Sequence, residues 1–129
     1  MANRHALAAS APSNTTPPVD FSGTWLNELG SKMELEQDGP SVTGSYWSSV
    51  SEEENPADGV VVGFADANLI SFVVRWLGSE ALTAWVGLFE DDNHGPRLST
   101  LWHMVQVVSS PVDDWEAIHA GADVFTRDD

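Results

Sequence analysis

Asn27, Ser31, Tyr46, Ser48, Thr83 and Asp123 are polar side chains set among tryptophans in runs that alternate like β-strands. Successive strand side chains point to opposite faces, so parity sorts them. Trp25, Asn27, Leu29 and Ser31 share one parity; Tyr46, Ser48 and Val50 share another; Phe72, Val74 and Trp76, then Ala81, Thr83 and Trp85, then Trp102 and Met104, then Asp123 and Phe125 complete the sets. A lone Trp at strand spacing is ordinary core. What points to binding is the joint pattern, aromatics with short hydrogen-bonding groups on one parity of several strands. A solid core carries few such groups, because each unsatisfied one costs about 1–3 kcal/mol. A cavity tolerates them when a ligand supplies the partners. Indole rings add flat apolar walls with one N–H donor each.

The elements that must hold these residues follow from punctuation. Strands are predicted near 21–28, 32–37, 41–49, 59–66, 68–76, 81–90, 97–109 and 119–127, separated by Asp38-Gly-Pro, Glu52-Glu-Glu-Asn-Pro-Ala-Asp-Gly, Gly78-Ser, Asp91-Asp-Asn-His-Gly-Pro and Ser109-Ser-Pro. No segment keeps a helical period. Eight sequential strands with short loops imply an all-β, eight-stranded antiparallel up-and-down barrel, which closes on itself and leaves no edge. Residues 1–19, rich in Ala, Ser, Thr and Pro, read as a flexible N-terminal tail, and 20–129 as one barrel domain.

Composition narrows the function. The 129 residues hold 20 Asp and Glu against five Lys and Arg, a formal net charge of −15. Nucleic acid and anionic membrane surfaces require a basic footprint, so neither is expected as a partner. There is no cysteine, hence no disulfide and no thiolate metal site, and no metal or nucleotide motif is present. No apolar run reaches the roughly 18 residues of a membrane helix. The opening Met1–Ser10 stretch is too short for a convincing secretory signal, which leaves the compartment unknown. Asn14-Thr-Thr reads as a chance sequon.

Five stretches, in order, resemble the avidin and streptavidin family of biotin-binding proteins: Gly23-Thr-Trp-Leu-Asn-Glu-Leu-Gly-Ser31, Val42-Thr-Gly-Ser-Tyr-Trp-Ser, Thr83-Ala-Trp-Val-Gly, Leu98-Ser-Thr-Leu-Trp-His-Met, and Trp115 with Asp123-Val-Phe-Thr-Arg. The resemblance spans about residues 21–127. It implies non-catalytic, high-affinity binding of biotin inside the barrel, with no cofactor, and vitamin sequestration as the purpose. It matches Asn27, Ser31 and Tyr46 to donors on the ureido oxygen, a binding counterpart of an oxyanion hole. Asp123 and Ser48 match the acceptors for the two ureido N–H groups, and Thr83 the contact to the thioether sulfur. Trp76, Trp85 and Trp102 match the ring walls, and Leu29, Val50 and Met104 the apolar lining. Trp115 matches a residue that caps the ligand of a neighbouring subunit, so a homotetramer is expected, with biotin and biotinylated molecules as partners.

The chain departs from that pattern at the ligand's tail end. Ala81 stands where the family often has a Ser on the biotin carboxylate. The Ser51–Gly59 loop is longer than its streptavidin counterpart and carries three Glu, each worth roughly 0.5 kcal/mol of repulsion at about 8 Å in a water-like dielectric. A weaker hold on the free carboxylate is expected. Ala120 and Ala122 replace larger apolar residues at a subunit contact, and His103 has outward parity near the same surface.

Other readings are weaker on the residues. A lipocalin-like carrier of another small hydrophobic ligand shares the Gly23-x-Trp25 pattern but would bring a long helix after the last strand. Catalysis lacks a nucleophile elbow, and His119 with Asp123 is not an acid–base constellation. A barrel that bound nothing would gain stability by replacing its interior polar set.

Overall fold

The alternation is realised as strands. A computed structural model describes residues 17–49, 57–107 and 118–128. Eight strands run β1 (Gly23–Asn27), β2 (Lys32–Asp38), β3 (Ser41–Ser48), β4 (Ala57–Asp66), β5 (Leu69–Trp76), β6 (Ala81–Asp92), β7 (Gly95–Gln106) and β8 (Ile118–Arg127). Each pairs antiparallel with the next, and β1 pairs with β8 to close the barrel. β2 shows the rule at its plainest: Met33 and Leu35 are buried between exposed Lys32, Glu34 and Glu36. The ends shift by a few residues from the sequence expectation. β6 and β7 form a longer hairpin, because Arg97 ties the turn: Nη1 donates to Asp92 Oδ1 at 2.7 Å, and Nη2 donates to Asp92 Oδ2 at 2.9 Å and Glu90 Oε2 at 3.2 Å.

One end of the barrel is plugged. Phe21, Trp25 and Phe89 meet with centroids 6.1–6.4 Å apart, and the Trp25 indole donates to the Phe21 carbonyl at 2.9 Å. The Arg127 guanidinium lies 4.3 Å over the Trp25 ring and donates to the carbonyls of Ser22 and Asp20. Val19, assigned to the tail by composition, packs on this core and donates its N–H to Ala67 O at 3.0 Å.

Two glycines make room for rings at the other end. Gly59 pairs with Trp76, and Gly121 with Trp102. A methyl on Gly59 would collide with Val74 and crowd the Trp76 ring, and one on Gly121 would collide with the Trp102 ring. Outward positions of β4 to β7 break the alternation: Val60, Val62, Phe64, Leu69, Val73, Leu82, Val86, Leu88, Leu101 and Val105 are all exposed. No helix among the described residues is long and apolar enough to cross a membrane.

Candidate functional site

Asn27 ends β1 and shapes the turn that follows. Its Oδ1 accepts the N–H groups of Leu29 at 3.0 Å and Ser31 at 2.9 Å, an Asx-type turn that steers the chain into β2. The same amide then has its Nδ2 free to donate to Tyr46 Oη at 3.5 Å. Ser31 is buried; its Oγ accepts the Ser49 N–H at 3.1 Å and lies 3.4 Å from Ser49 Oγ, which donates to Leu29 O at 2.8 Å. Tyr46, on β3, also engages the Ser31 hydroxyl. Three of the sequence-derived residues, from two strands and a turn, thus form one cluster.

A second cluster faces it. Asp123, on β8, is buried and accepts the Trp85 indole N–H on Oδ2 at 3.3 Å. Thr100, opposite it on β7, donates to the Asp123 carbonyl at 2.9 Å and fixes the strand there. Thr83 is buried on β6 and accepts the Trp76 indole N–H at 2.8 Å. Trp85 joins the clusters. It stacks on Phe72 at 5.1 Å and 16°, and on Tyr46 at 5.0 Å and 27°. Trp76 stands edge-on to Tyr46 at 5.5 Å. Trp102 pairs with Trp85 across the β6–β7 ladder, Met104 with Thr83, and both are half-buried. Ser48 ends β3, half-buried.

The electrostatics follow from burial. Burial is the main cause that pushes the Tyr46 phenol far above its usual range, with the charges of Asp123 and Glu28 adding to it and the Ser31 hydrogen bond opposing. Burial likewise raises the Asp123 carboxyl above the ordinary carboxylate value; the Trp85 hydrogen bond pulls it down and the Glu28 charge pushes it up. Tyr46 is therefore a permanent neutral donor. Among the described residues no group of three His, Asp or Glu is placed to hold a metal.

Two expectations need correction. Leu29 is not in the interior set: β1 ends at Asn27, parity lapses in the turn, and the side chain is 56% exposed. The premise that interior polar groups await a ligand for their partners also fails, because no buried side-chain N or O among the described residues lacks one. Val50 and Trp115 lie outside the described residues. Ser49 and Glu28 were missed. Their contacts depend on a neighbouring turn and on the β1–β8 register, neither of which parity reports. A concavity of about 610 Å³ opens against exposed Lys32, Glu34, Trp47, Asp58, Val60 and Leu77 on and beside β2 to β4 and is also lined by Tyr46, while Thr83, Trp85 and Asp123 do not line it.

Comparison with known proteins supports the barrel fold. The model of the Avidin family matches residues 15–128. Avidin of Gallus gallus is 30% identical over 132 residues, covering 95% of this chain and 87% of that one. Among solved structures, xenavidin is similar with a TM-score of 0.74 at 28% identity, covering 84% of this chain and 96% of its own. The biotin binding protein from chicken follows with a TM-score of 0.72 at 28% identity, covering 85% and 97%.

Proposed function

The chain belongs to the avidin family, and on that premise we propose that it binds biotin, without catalysis, in the well where Asn27, Ser31, Tyr46 and Asp123 gather. One observation supports this reading above the others. Two polar clusters, Asn27 with Tyr46 and Asp123 with Trp85, drawn from opposite ends of the chain, are joined by a single stacked pair, Tyr46 and Trp85. Asn27, Ser31 and Tyr46 each have a donor for the ureido oxygen. Asp123 and Ser48 accept from its N–H groups, Thr83 meets the sulfur, and Trp76, Trp85, Trp102 and Met104 wall the bicycle. The donors are held by turn and strand before ligand arrives, so little ordering is left to oppose binding.

The present partners become the exchange partners of the ligand. Asn27 Nδ2 turns from Tyr46 to the ligand, Asp123 keeps the Trp85 indole on Oδ2 and accepts a ureido N–H on its other oxygen, and the Tyr46–Trp85 stack opens to admit a ring. Each exchange is close to neutral in hydrogen bonds, so shape and apolar contact with the indoles supply the net gain. Val50 and Trp115 complete the wall and the cap, Trp115 from a neighbouring subunit. The exposed apolar face of β4 to β7 is far broader than a monomer ordinarily leaves to water. A homotetramer covers it and brings Trp115 to its partner's well. With Ala81 in place of a hydroxyl and an acidic 51–59 loop, the ligand's tail is held loosely, so that biotinylated molecules are accepted as well as the free vitamin.

Thermal unfolding with and without ligand tests the proposal. Biotin at a hundredfold over its Kd should stabilise by about 2.7 kcal/mol and raise Tm by roughly 10 °C, with fatty acids and retinoids inert. A shift with the lipids and none with biotin would favour the carrier reading instead.

A further inference from the structure

Glu28 does something that its exposed position in a turn does not announce. β1 pairs with β8 in the register Trp25 with Arg127, Leu26 with Thr126 and Asn27 with Phe125. The next rung would join residue 28 to Val124, but the backbone has already turned away under the pull of Asn27 Oδ1. Glu28 Oε2 takes the missing place and accepts the Val124 N–H at 2.9 Å. A side-chain carboxylate thus continues the ladder one step past the end of the strand. Val124 is the residue after Asp123, and Thr100 holds the Asp123 carbonyl from the other side at 2.9 Å. The backbone that carries Asp123 is therefore pinned from both neighbouring elements.

We propose that Glu28 is a positioning residue that latches the β1–β2 turn to β8 and so fixes where Asp123 offers its carboxylate to the ligand. The binding arm of this inference rests on the biotin reading above; the latch itself does not. A neutral group could also accept the Val124 N–H, so the charge has a second effect. It bears on Asp123, which otherwise faces only neutral groups among the described residues: the Trp85 indole from β6, the Thr100 hydroxyl from β7 and, from β3, the Tyr46 phenol, kept neutral by its burial. Glu28 thereby raises the pH at which falling pH releases the ligand, because a like charge one residue from Asp123 along β8 favours the protonated form of its carboxyl.

Two substitutions separate these roles. Glu28→Gln keeps an acceptor and removes the charge; Glu28→Ala removes both. In the ligand-free protein, hydrogen exchange at the Val124 amide should stay slow in E28Q and quicken at least about tenfold in E28A. Equal protection in wild type and E28A would overturn the latch, whether or not biotin binds. With biotin, E28A should weaken affinity about tenfold at pH 8 while E28Q stays within about threefold. The pH at which half the affinity is lost should be lower in E28Q than in wild type. An unmoved midpoint would overturn the electrostatic role, and E28Q carries that test if E28A does not fold. If wild type fails to bind biotin, the proposed function falls, and the exchange measurement still decides the latch.

Discussion

Tyr46 and Trp85 are stacked, 5.0 Å between centroids and 27° between planes, and Phe72 stacks on the same indole at 5.1 Å and 16°. These three rings belong to the candidate site. On the proposed reading a cyclic ligand enters by parting Tyr46 from Trp85. Biotin should therefore change the emission of Trp85 as its contact with Tyr46 is replaced by contact with the ligand. Titration of intrinsic fluorescence, repeated with Trp85→Phe, checks this. The signal should shrink in the variant, and an undiminished signal would place the responding indole elsewhere.

The Tyr46 hydroxyl stands at the junction of Asn27 and Ser31. Tyr46→Phe keeps the ring stack and removes one donor from the ureido oxygen. The expected cost is about 0.5–1.5 kcal/mol of biotin affinity, by calorimetry, with a small loss of stability from the Asn27 Nδ2 left without its acceptor.

On the proposed reading Asp123 sets the pH dependence of binding. Its carboxyl is raised above the ordinary value mainly by burial, and ligand N–H groups would favour its charged form. Binding should therefore be at full strength above the raised value and be lost as pH falls through it. The ligand-free fold moves the other way. The folded state holds the proton more tightly than the unfolded chain, so this residue's penalty on stability disappears over the same fall. Asp123→Asn should flatten the acid limb of the binding profile. A limb that persists in D123N would assign it to another group.

Thr83 accepts the Trp76 indole N–H at 2.8 Å. Thr83→Val keeps the shape and strands that half-buried donor. A loss of about 1–3 kcal/mol is expected in urea unfolding, beyond any effect on ligand. A neutral result would mean that water reaches the indole.

At the tail of the ligand, biotin and its methyl ester should bind within about tenfold of each other, since Ala81 offers no hydroxyl to a carboxylate. Calorimetry of the pair decides it. A free acid that binds far more tightly would mean that another donor holds the carboxylate.

The strands were legible because Met33, Leu35, Val42, Val61 and Val74 alternate with polar residues or lie between turn signals that no helix would carry. Interior polar residues such as Thr83 and Asp123 fell out of the same parity. Leu29 did not, because the turn built on Asn27 Oδ1 carries its side chain outward before Ser31, two residues on, is buried again. Glu28, Ser49 and Arg127 were illegible for a related reason. Each acts on a residue of another strand or turn, at a distance set by register and barrel closure, and no local pattern encodes it. The plug of Phe21, Trp25 and Phe89 belongs to the same class, with its rings brought together from the segment before β1, from β1 and from β6 only when the barrel shuts.

The most direct test is a crystal structure of the protein grown with biotin. The expected result is the bicycle between Trp76, Trp85 and Trp102, its ureido oxygen on Asn27, Ser31 and Tyr46, one ureido N–H on Asp123, and Tyr46 parted from Trp85. A barrel that crystallises from excess biotin with Tyr46 still stacked on Trp85, and the vitamin absent or bound on the outer face, would contradict the account.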